Sequence, residues 1–268
     1  MKSCSAKLLA VSVLTVSAGI SMAQGRLIAV DSSRALYEID MTTGAKTQIG
    51  TVSSNASTTA GLAYDRTNDI VYLTSTGNDS LYTLDLATGT ATLVGAYGNS
   101  ALVMHGLEFD SSTNRIYGVS SHDNGLYDIN SGTGFASLIG TSGLSSFTNL
   151  GYDSLNDIMY ATNSGTDSFY MMNRATGAMT LIGALGGSTN PNGLAYNHDN
   201  DTLYLVDNST DNLYTINRAT GAATLIGSTG TGNLLGLAYV NPIPEPSTML
   251  LAAGLGALAI RRRKNKKS

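Results

Sequence analysis

Short apolar runs divided by turns rich in Gly, Asn, Asp, Ser and Thr fill the middle of this chain, most clearly from Gly193 to Gly227. That stretch predicts strands over Gly193 to Tyr196, Thr202 to Val206, Asn212 to Ile216 and Ala223 to Ile226. β-Branched and aromatic residues suit a pleated strand, and the Asn, Asp and Gly between them close tight turns.

The pattern is an internal repeat. Gly61-Leu62-Ala63-Tyr64-Asp65 recurs as Gly106-Leu107-Glu108-Phe109-Asp110, Asn149-Leu150-Gly151-Tyr152-Asp153, Gly193-Leu194-Ala195-Tyr196-Asn197 and Gly236-Leu237-Ala238-Tyr239. The aromatic positions 64, 109, 152, 196 and 239 are 45, 43, 44 and 43 residues apart. A second marker, Thr-Gly before a short run ending in Gly, appears at Thr43-Gly44, Thr88-Gly89, Thr133-Gly134, Thr176-Gly177 and Thr220-Gly221.

Four strands per ~44 residues is the period of a β-propeller blade. The first unit lacks its opening strand and begins at Arg26-Leu27-Ile28-Ala29-Val30-Asp31, while the last is only an opening strand, Leu235 to Tyr239. Joined, the fragments complete one blade and remove a free sheet edge. The chain is therefore expected to be an all-β, five-bladed β-propeller of four-stranded blades, closed by N- and C-terminal strands sharing a blade. A parallel solenoid of this period would need polar capping repeats; complementary end fragments argue against it. The phrases Asp157-Ile158-Met159-Tyr160-Ala161-Thr162-Asn163 and Leu213-Tyr214-Thr215-Ile216-Asn217-Arg218-Ala219-Thr220-Gly221 resemble YVTN and NHL-type propellers of extracellular proteins. That resemblance implies fold and surface residence and supplies no active site.

Both ends read as addresses. Lys2 and Lys7 precede an apolar region from Leu8 to Ile20, and Ser21-Met22-Ala23 offers small residues to a signal peptidase. Residues 1–23 are expected to be a signal peptide cut between Ala23 and Gln24. Cys4, the only cysteine, would leave with it, so no disulfide is expected. At the other end Pro244-Glu245-Pro246 precedes an apolar run at 247–260 and then Arg261-Arg262-Arg263, with six basic residues in all. Fourteen residues span about 21 Å as a helix, against roughly 30 Å of hydrocarbon. The run suits transient membrane contact better than a permanent anchor, with the arginines on the cytoplasmic side. Pro-Glu-Pro, a short apolar run and an arginine cluster resemble the PEP-CTERM sorting tail, which implies processing by an exosortase-type protease. An ordinary C-terminal anchor is the alternative. The expected organisation is signal peptide 1–23, propeller 24–243 and sorting tail 244–268, with the product at the cell surface or outside it.

Charge narrows the partners. Residues 24–243 hold 7 of the 15 Lys and Arg but 18 of the 19 Asp and Glu, a net charge of about −11. Nucleic acid, which needs a basic surface, is not an expected partner. Exopolysaccharide and envelope proteins are, by family resemblance.

Propeller connections alternate between two faces. Those after the first and third strands of each blade are stereotyped, as in Asp65-Arg66-Thr67-Asn68-Asp69 and Asp153-Ser154-Leu155-Asn156-Asp157. The remaining connections vary in length and chemistry, as in residues 52–59, 96–104, 141–147 and 184–191, and variable loops on a rigid scaffold are where binding usually resides. That variable face carries a recurrent position at Asp79, Asn124, Asp167 and Asp211, with Arg34 in the first blade. Hard oxygen ligands there suit calcium or sugar hydroxyls, while a simple turn-forming role is the alternative. Metal binding stays open, and no cofactor is expected. Glu108 breaks a series of small residues, Ala63, Gly151, Ala195 and Ala238, at the axis. A carboxylate there needs water or a partner; His105 is the candidate partner. His122 and His198 sit in turns and read as solvated.

No Gly-x-Ser-x-Gly elbow and no His/Cys cluster is present. The reading is a non-enzymatic secreted binding or structural module of the envelope or extracellular matrix, linked by resemblance to biofilm. The alternative is an extracellular hydrolase or lyase acting on polysaccharide.

Overall fold

The computed structural model describes residues 24–242; Ala23, the signal peptide and the sorting residues Pro244, Glu245, Pro246 and Arg261 to Arg263 lie outside the described residues. The described chain opens with β1 (Arg26–Asp31), β2 (Ala35–Ile39) and β3 (Lys46–Thr51). β4 (Thr59–Asp65), β5 (Ile70–Ser75), β6 (Ser80–Leu84) and β7 (Ala91–Ala96) form the first whole sheet. The second is β8 (Met104–Asp110), β9 (Arg115–Ser120), β10 (Gly125–Ile129) and β11 (Ala136–Thr141). The third is β12 (Phe147–Asp153), β13 (Ile158–Asn163), β14 (Ser168–Met172) and β15 (Met179–Ala184). β16 (Pro191–Asn197), β17 (Thr202–Asp207), β18 (Asn212–Ile216) and β19 (Ala223–Ser228) form the fourth, and β20 (Leu234–Val240) completes the fifth in the order β20-β1-β2-β3.

The innermost strands β4, β8, β12, β16 and β20 each pack on the next, and β20 returns onto β4. The protein is a five-bladed propeller closed by strands from opposite ends of the described chain. Closure is antiparallel, with Arg26 opposite Val240, Leu27 opposite Tyr239 and Ile28 opposite Ala238. Register is fixed because these residues face cores on both sides of the sheet; a one-residue slip would exchange every side chain between them.

The cores sit at the seams between blades. Ile28, Val30 and Leu36 of the closing blade meet Leu62, Val71 and Leu73 of the next in one cluster. Leu27, Ala29 and Leu237 meet Tyr204, Val206 and Leu213 across the opposite seam. Inner strands are consequently buried on both faces, as β4 and β16 are throughout. The outer strands are half-exposed, and Leu93, Leu138, Leu181 and Leu225 lie in the open at equivalent positions.

The second sequence marker is a seam contact. Gly134 of the Thr-Gly turn has φ +76°, and a Cβ there would lie 2.2 Å from the Gly95 carbonyl oxygen of the preceding blade. Its counterpart Gly95 would meet the Thr133 carbonyl at 1.9 Å. Left-handed backbone and a neighbouring main chain together exclude any side chain.

The seams differ in chemistry at one position. Arg174 binds Asp110 of the preceding blade and Asp157 of its own, and Arg218 binds Asp153 and Asp201 in the same way. Each guanidinium also lies over a tyrosine ring, Tyr152 at 5.5 Å and Tyr196 at 5.4 Å. At the equivalent place Leu86 packs on the cluster containing Val240, and Met41 Sδ accepts from Asn197 Nδ2. At these four seams partners change together, so packing is kept whether it is ionic or apolar.

Candidate functional site

Each innermost strand is hydrogen-bonded on its outer side only, which leaves an unpaired edge toward the axis. Small residues at 63, 151, 195 and 238 let the strands converge, and a cavity of about 90 Å³ remains at the centre. Its wall takes one aromatic from each blade, Tyr64, Phe109, Tyr152, Tyr196 and Tyr239. Its mouth lies between Arg66, Ser111, Ser154 and His198, all at the first position of the turn after an innermost strand. The cavity therefore opens on the stereotyped hairpin face, opposite the variable links.

Glu108 lies in this cavity. Its Oε1 accepts the Phe109 N–H at 2.9 Å and its Oε2 the Tyr152 N–H of the next blade at 3.1 Å. Burial among protein atoms pushes its carboxyl up to about 8, against the opposing pull of those two N–H groups. At neutral pH it is mostly a neutral acid.

The phenols of the wall are committed. Tyr64 donates to Asp69 at 2.6 Å, Tyr152 to Asp157 at 2.7 Å, Tyr196 to Asp201 at 2.6 Å and Tyr239 to Asp199 at 2.7 Å. Burial, reinforced by these carboxylates, holds all four above the ordinary phenol range. His198 is half-buried, with Nε2 3.2 Å from Asp199 Oδ1 and its ring edge-on to Tyr239 at 5.3 Å. Burial, then the Arg66 charge, lowers its pKa.

Arg66 makes no hydrogen bond or ion pair among the described residues. The other cations there all have acceptors: Arg26 has Glu38, Arg115 has Asp128, Arg34 the Val52 carbonyl and Lys46 the Thr231 carbonyl, beside the two seam arginines.

His105 is not the partner of Glu108: both of the carboxyl's hydrogen bonds go to backbone N–H groups, and His105 does not line the cavity. Burial alone lowers the His105 pKa. His122 is exposed, whereas His198 belongs to the cavity mouth.

Asp79, Asn124, Asp167 and Asp211 fall on separate blades, and the fold does not bring them together. Each adopts positive φ, between 46° and 56°, as does Arg34 at 77°. Each main-chain oxygen accepts an N–H from the following link, for example Tyr97 N–H to Asp79 and Leu185 N–H to Asp167. Asp and Asn tolerate this left-handed conformation best after Gly, which explains the recurrence. Among the described residues no group of three or more His, Cys, Asp or Glu is placed to hold a metal ion.

The PEP-CTERM protein-sorting motif matches residues 242–264. The chain carries this sorting signal. It implies export, a C-terminal membrane anchor before processing, and processing by an exosortase. No helix among the described residues is long and apolar enough to cross a membrane. The comparison with curated proteins gives no match. Solved structures share the propeller fold at low identity. A Bacteroides thetaiotaomicron protein of unknown function is 15% identical with TM-score 0.58, over 82% of this chain and 66% of that one. A chain of a nidogen/laminin complex is 14% identical with TM-score 0.57, over 81% and 98%. Virginiamycin B lyase from Staphylococcus aureus is 14% identical with TM-score 0.51, over 81% and 78%.

Proposed function

We propose that this protein is a secreted, surface-associated binding module of the cell envelope or extracellular matrix, without enzymatic activity. Residues 1–23 direct export and are removed between Ala23 and Gln24, and exopolysaccharide is the expected partner. One observation supports the module reading above others: carboxylates of the turns are committed to the fold, and Asp79, Asp167 and Asp211, whose side chains accept no hydrogen bond among the described residues, fall on separate blades. Asp153 accepts the Leu155 and Asn156 N–H groups and Arg218. Asp207 accepts N–H groups from Thr189, Asn190, Ser209 and Thr210. A paired-carboxylate hydrolase needs two free acids flanking a bond, about 5–9 Å apart; the axial cavity offers Glu108 alone.

The hydrolase or lyase reading draws on the same residue. An acid whose pKa is raised toward 8 within a cavity is what general acid catalysis uses, and a lyase shares this fold. A glycan array probed with the full chain in detergent, followed by analysis of each bound glycan for cleavage, separates the two. Binding with intact glycan is the expected result, and new reducing ends or unsaturated sugars would overturn it.

A further inference from the structure

We propose that the axial cavity takes the carboxylate of a uronic-acid residue of an acidic polysaccharide, gripped by Arg66, Ser111 and Ser154 at the mouth and by Glu108 within. The proposal rests on the binding-module reading and gives that module its ligand class.

Unpartnered donors carry it. The Arg66 guanidinium has no acceptor, and the Ser111 and Ser154 hydroxyls make no hydrogen bond among the described residues. Glu108 already accepts an N–H on each oxygen, and the proton that burial keeps on it at neutral pH has no protein acceptor among them. Arg66, Ser111 and Ser154 are exposed and hydrated, so around this one cavity they are free to exchange water for an acceptor-rich group. Two carboxylate oxygens offer about four lone-pair sites, and a guanidinium pairs with them in a fork geometry.

Size and polarity narrow the class. About 90 Å³ holds a carboxylate and a few waters and is well below the ~300 Å³ of a drug-sized pocket. One substituent enters, and the rest of the ligand lies over the mouth. In a uronic acid the carboxylate is bonded directly to the sugar ring, so the ring hydroxyls come to rest among Arg66, Ser111, Ser154 and His198. An Asp or Glu side chain would instead bring an apolar stem into that polar mouth. The net charge of about −11 over residues 24–243 opposes a long polyanion at a distance. Recognition is accordingly short-ranged and suits a chain end.

The repeat supports the placement. Asp65, Asp110, Asp153 and Asn197 stay nearly constant because they close the turns, while the very next position holds Ser twice, at Ser111 and Ser154, and changes to Arg66 and His198 in the other two blades. The fold does not dictate that column, which is free to shape a ligand site.

Groups facing the cavity set the pH response. The four phenols are raised and His198 is lowered, Asp110 is bound by Arg174, and Asp69 and Asp199 each accept from a tyrosine. Glu108 is the group in the cavity that titrates near pH 8. Neutral, it donates to the ligand; ionised, it repels it, so affinity is highest below about 8 and falls above it.

The test is calorimetric titration of the full chain in detergent with trigalacturonate, its carboxyl-reduced neutral counterpart and a Glu-Glu-Glu peptide. Trigalacturonate should bind at pH 7 and about tenfold more weakly at pH 9. Arg66→Ala, which removes no hydrogen bond or ion pair among the described residues, should lower affinity at least tenfold at unchanged melting temperature. Glu108→Gln should abolish the difference between pH 7 and pH 9. Equal affinity of wild type and Arg66→Ala, or equal affinity for the reduced trisaccharide, would overturn the proposal. Binding of the peptide without trigalacturonate would overturn it in favour of an acidic protein partner. Neutral glycans bound on the array with no uronate binding would sink this site and leave the module reading standing; no glycan bound at all would sink both.

Discussion

The hairpin face and the link face share a turn device, seen on the link face at Asn163 and Asp207, and differ in what they add to it. On the hairpin face it closes turn after turn: an Asp or Asn side chain accepts N–H groups two and three residues ahead, as Asp65, Asn130, Asp153 and Asn217 do. Glycine contacts and the Arg–Asp seams lie on this face too. On the link face each connection has its own tie. Asp207 holds residues 188–190, Asn163 donates to the Ser145 carbonyl, and Asn78 donates to the Asn55 carbonyl. A uniform mould exposes any position it leaves free, and on the hairpin face the free column opens into the axial cavity. Variability on the link face is harder to interpret, because each link varies together with its own anchor.

The largest effect should come from breaking the ring that both faces share. Deleting residues 234–240 removes Leu234, Leu237, Tyr239 and Val240, all buried, and uncovers β1. At about 1.5–3 kcal/mol per buried side chain the loss is about 5 kcal/mol or more, comparable with the whole stability of a domain. Thermal unfolding should lose its cooperative transition, and a melting temperature equal to the parent's would refute closure.

A matched pair of glycines compares the faces directly. Gly134 and Gly143 have nearly the same φ, +76° and +73°, but Gly134 abuts the Gly95 backbone whereas nothing lies within 4 Å of a Cβ at Gly143 on the link face. Gly134→Ala should cost about 3 kcal/mol, from left-handed strain plus backbone displacement, and Gly143→Ala about 1 kcal/mol, from strain alone. Chemical denaturation measures both, and equal losses would contradict a rigid hairpin face beside a tolerant link face.

Much of the fold was legible because both repeat markers are structural contacts. The Gly-Leu-Ala-Tyr-Asp phrase is the innermost strand, and Thr-Gly with its distant Gly is the seam. Strand ends were less legible: pairing runs on through polar residues, so Gly193 to Tyr196 becomes Pro191–Asn197. Glu108 stood out against its small equivalents, but its partner did not, since backbone N–H groups have no sequence signature. Three residues of strand separate His105 from Glu108 by about 10 Å of rise, too far for the pairing expected. Arg66 and His198 resembled ordinary turn residues, and only their divergence beside a constant Asp or Asn pointed to the mouth.

A further effect, modest beside loss of the ring, belongs to Glu108 and depends on pH. Its folded pKa of about 8 lies above the unfolded carboxylate value near 4.3, so the stability it contributes is fully present below about 4.3 and is lost as pH rises toward 8. Glu108→Ala should therefore gain on the wild type across that window, by about 1–2 kcal/mol after allowing for residual contact with cavity water. Denaturation at pH 4.5 and pH 8.5 reads the difference, and a constant gap would mean that the carboxyl is not held neutral.

Hydrogen exchange of the full chain with and without trigalacturonate tests most directly whether binding belongs to the axial mouth. Protection should appear in the turns holding Arg66, Ser111, Ser154 and His198, with the links at 96–104 and 184–191 unchanged. Protection confined to those links would place the ligand on the opposite face and contradict the account.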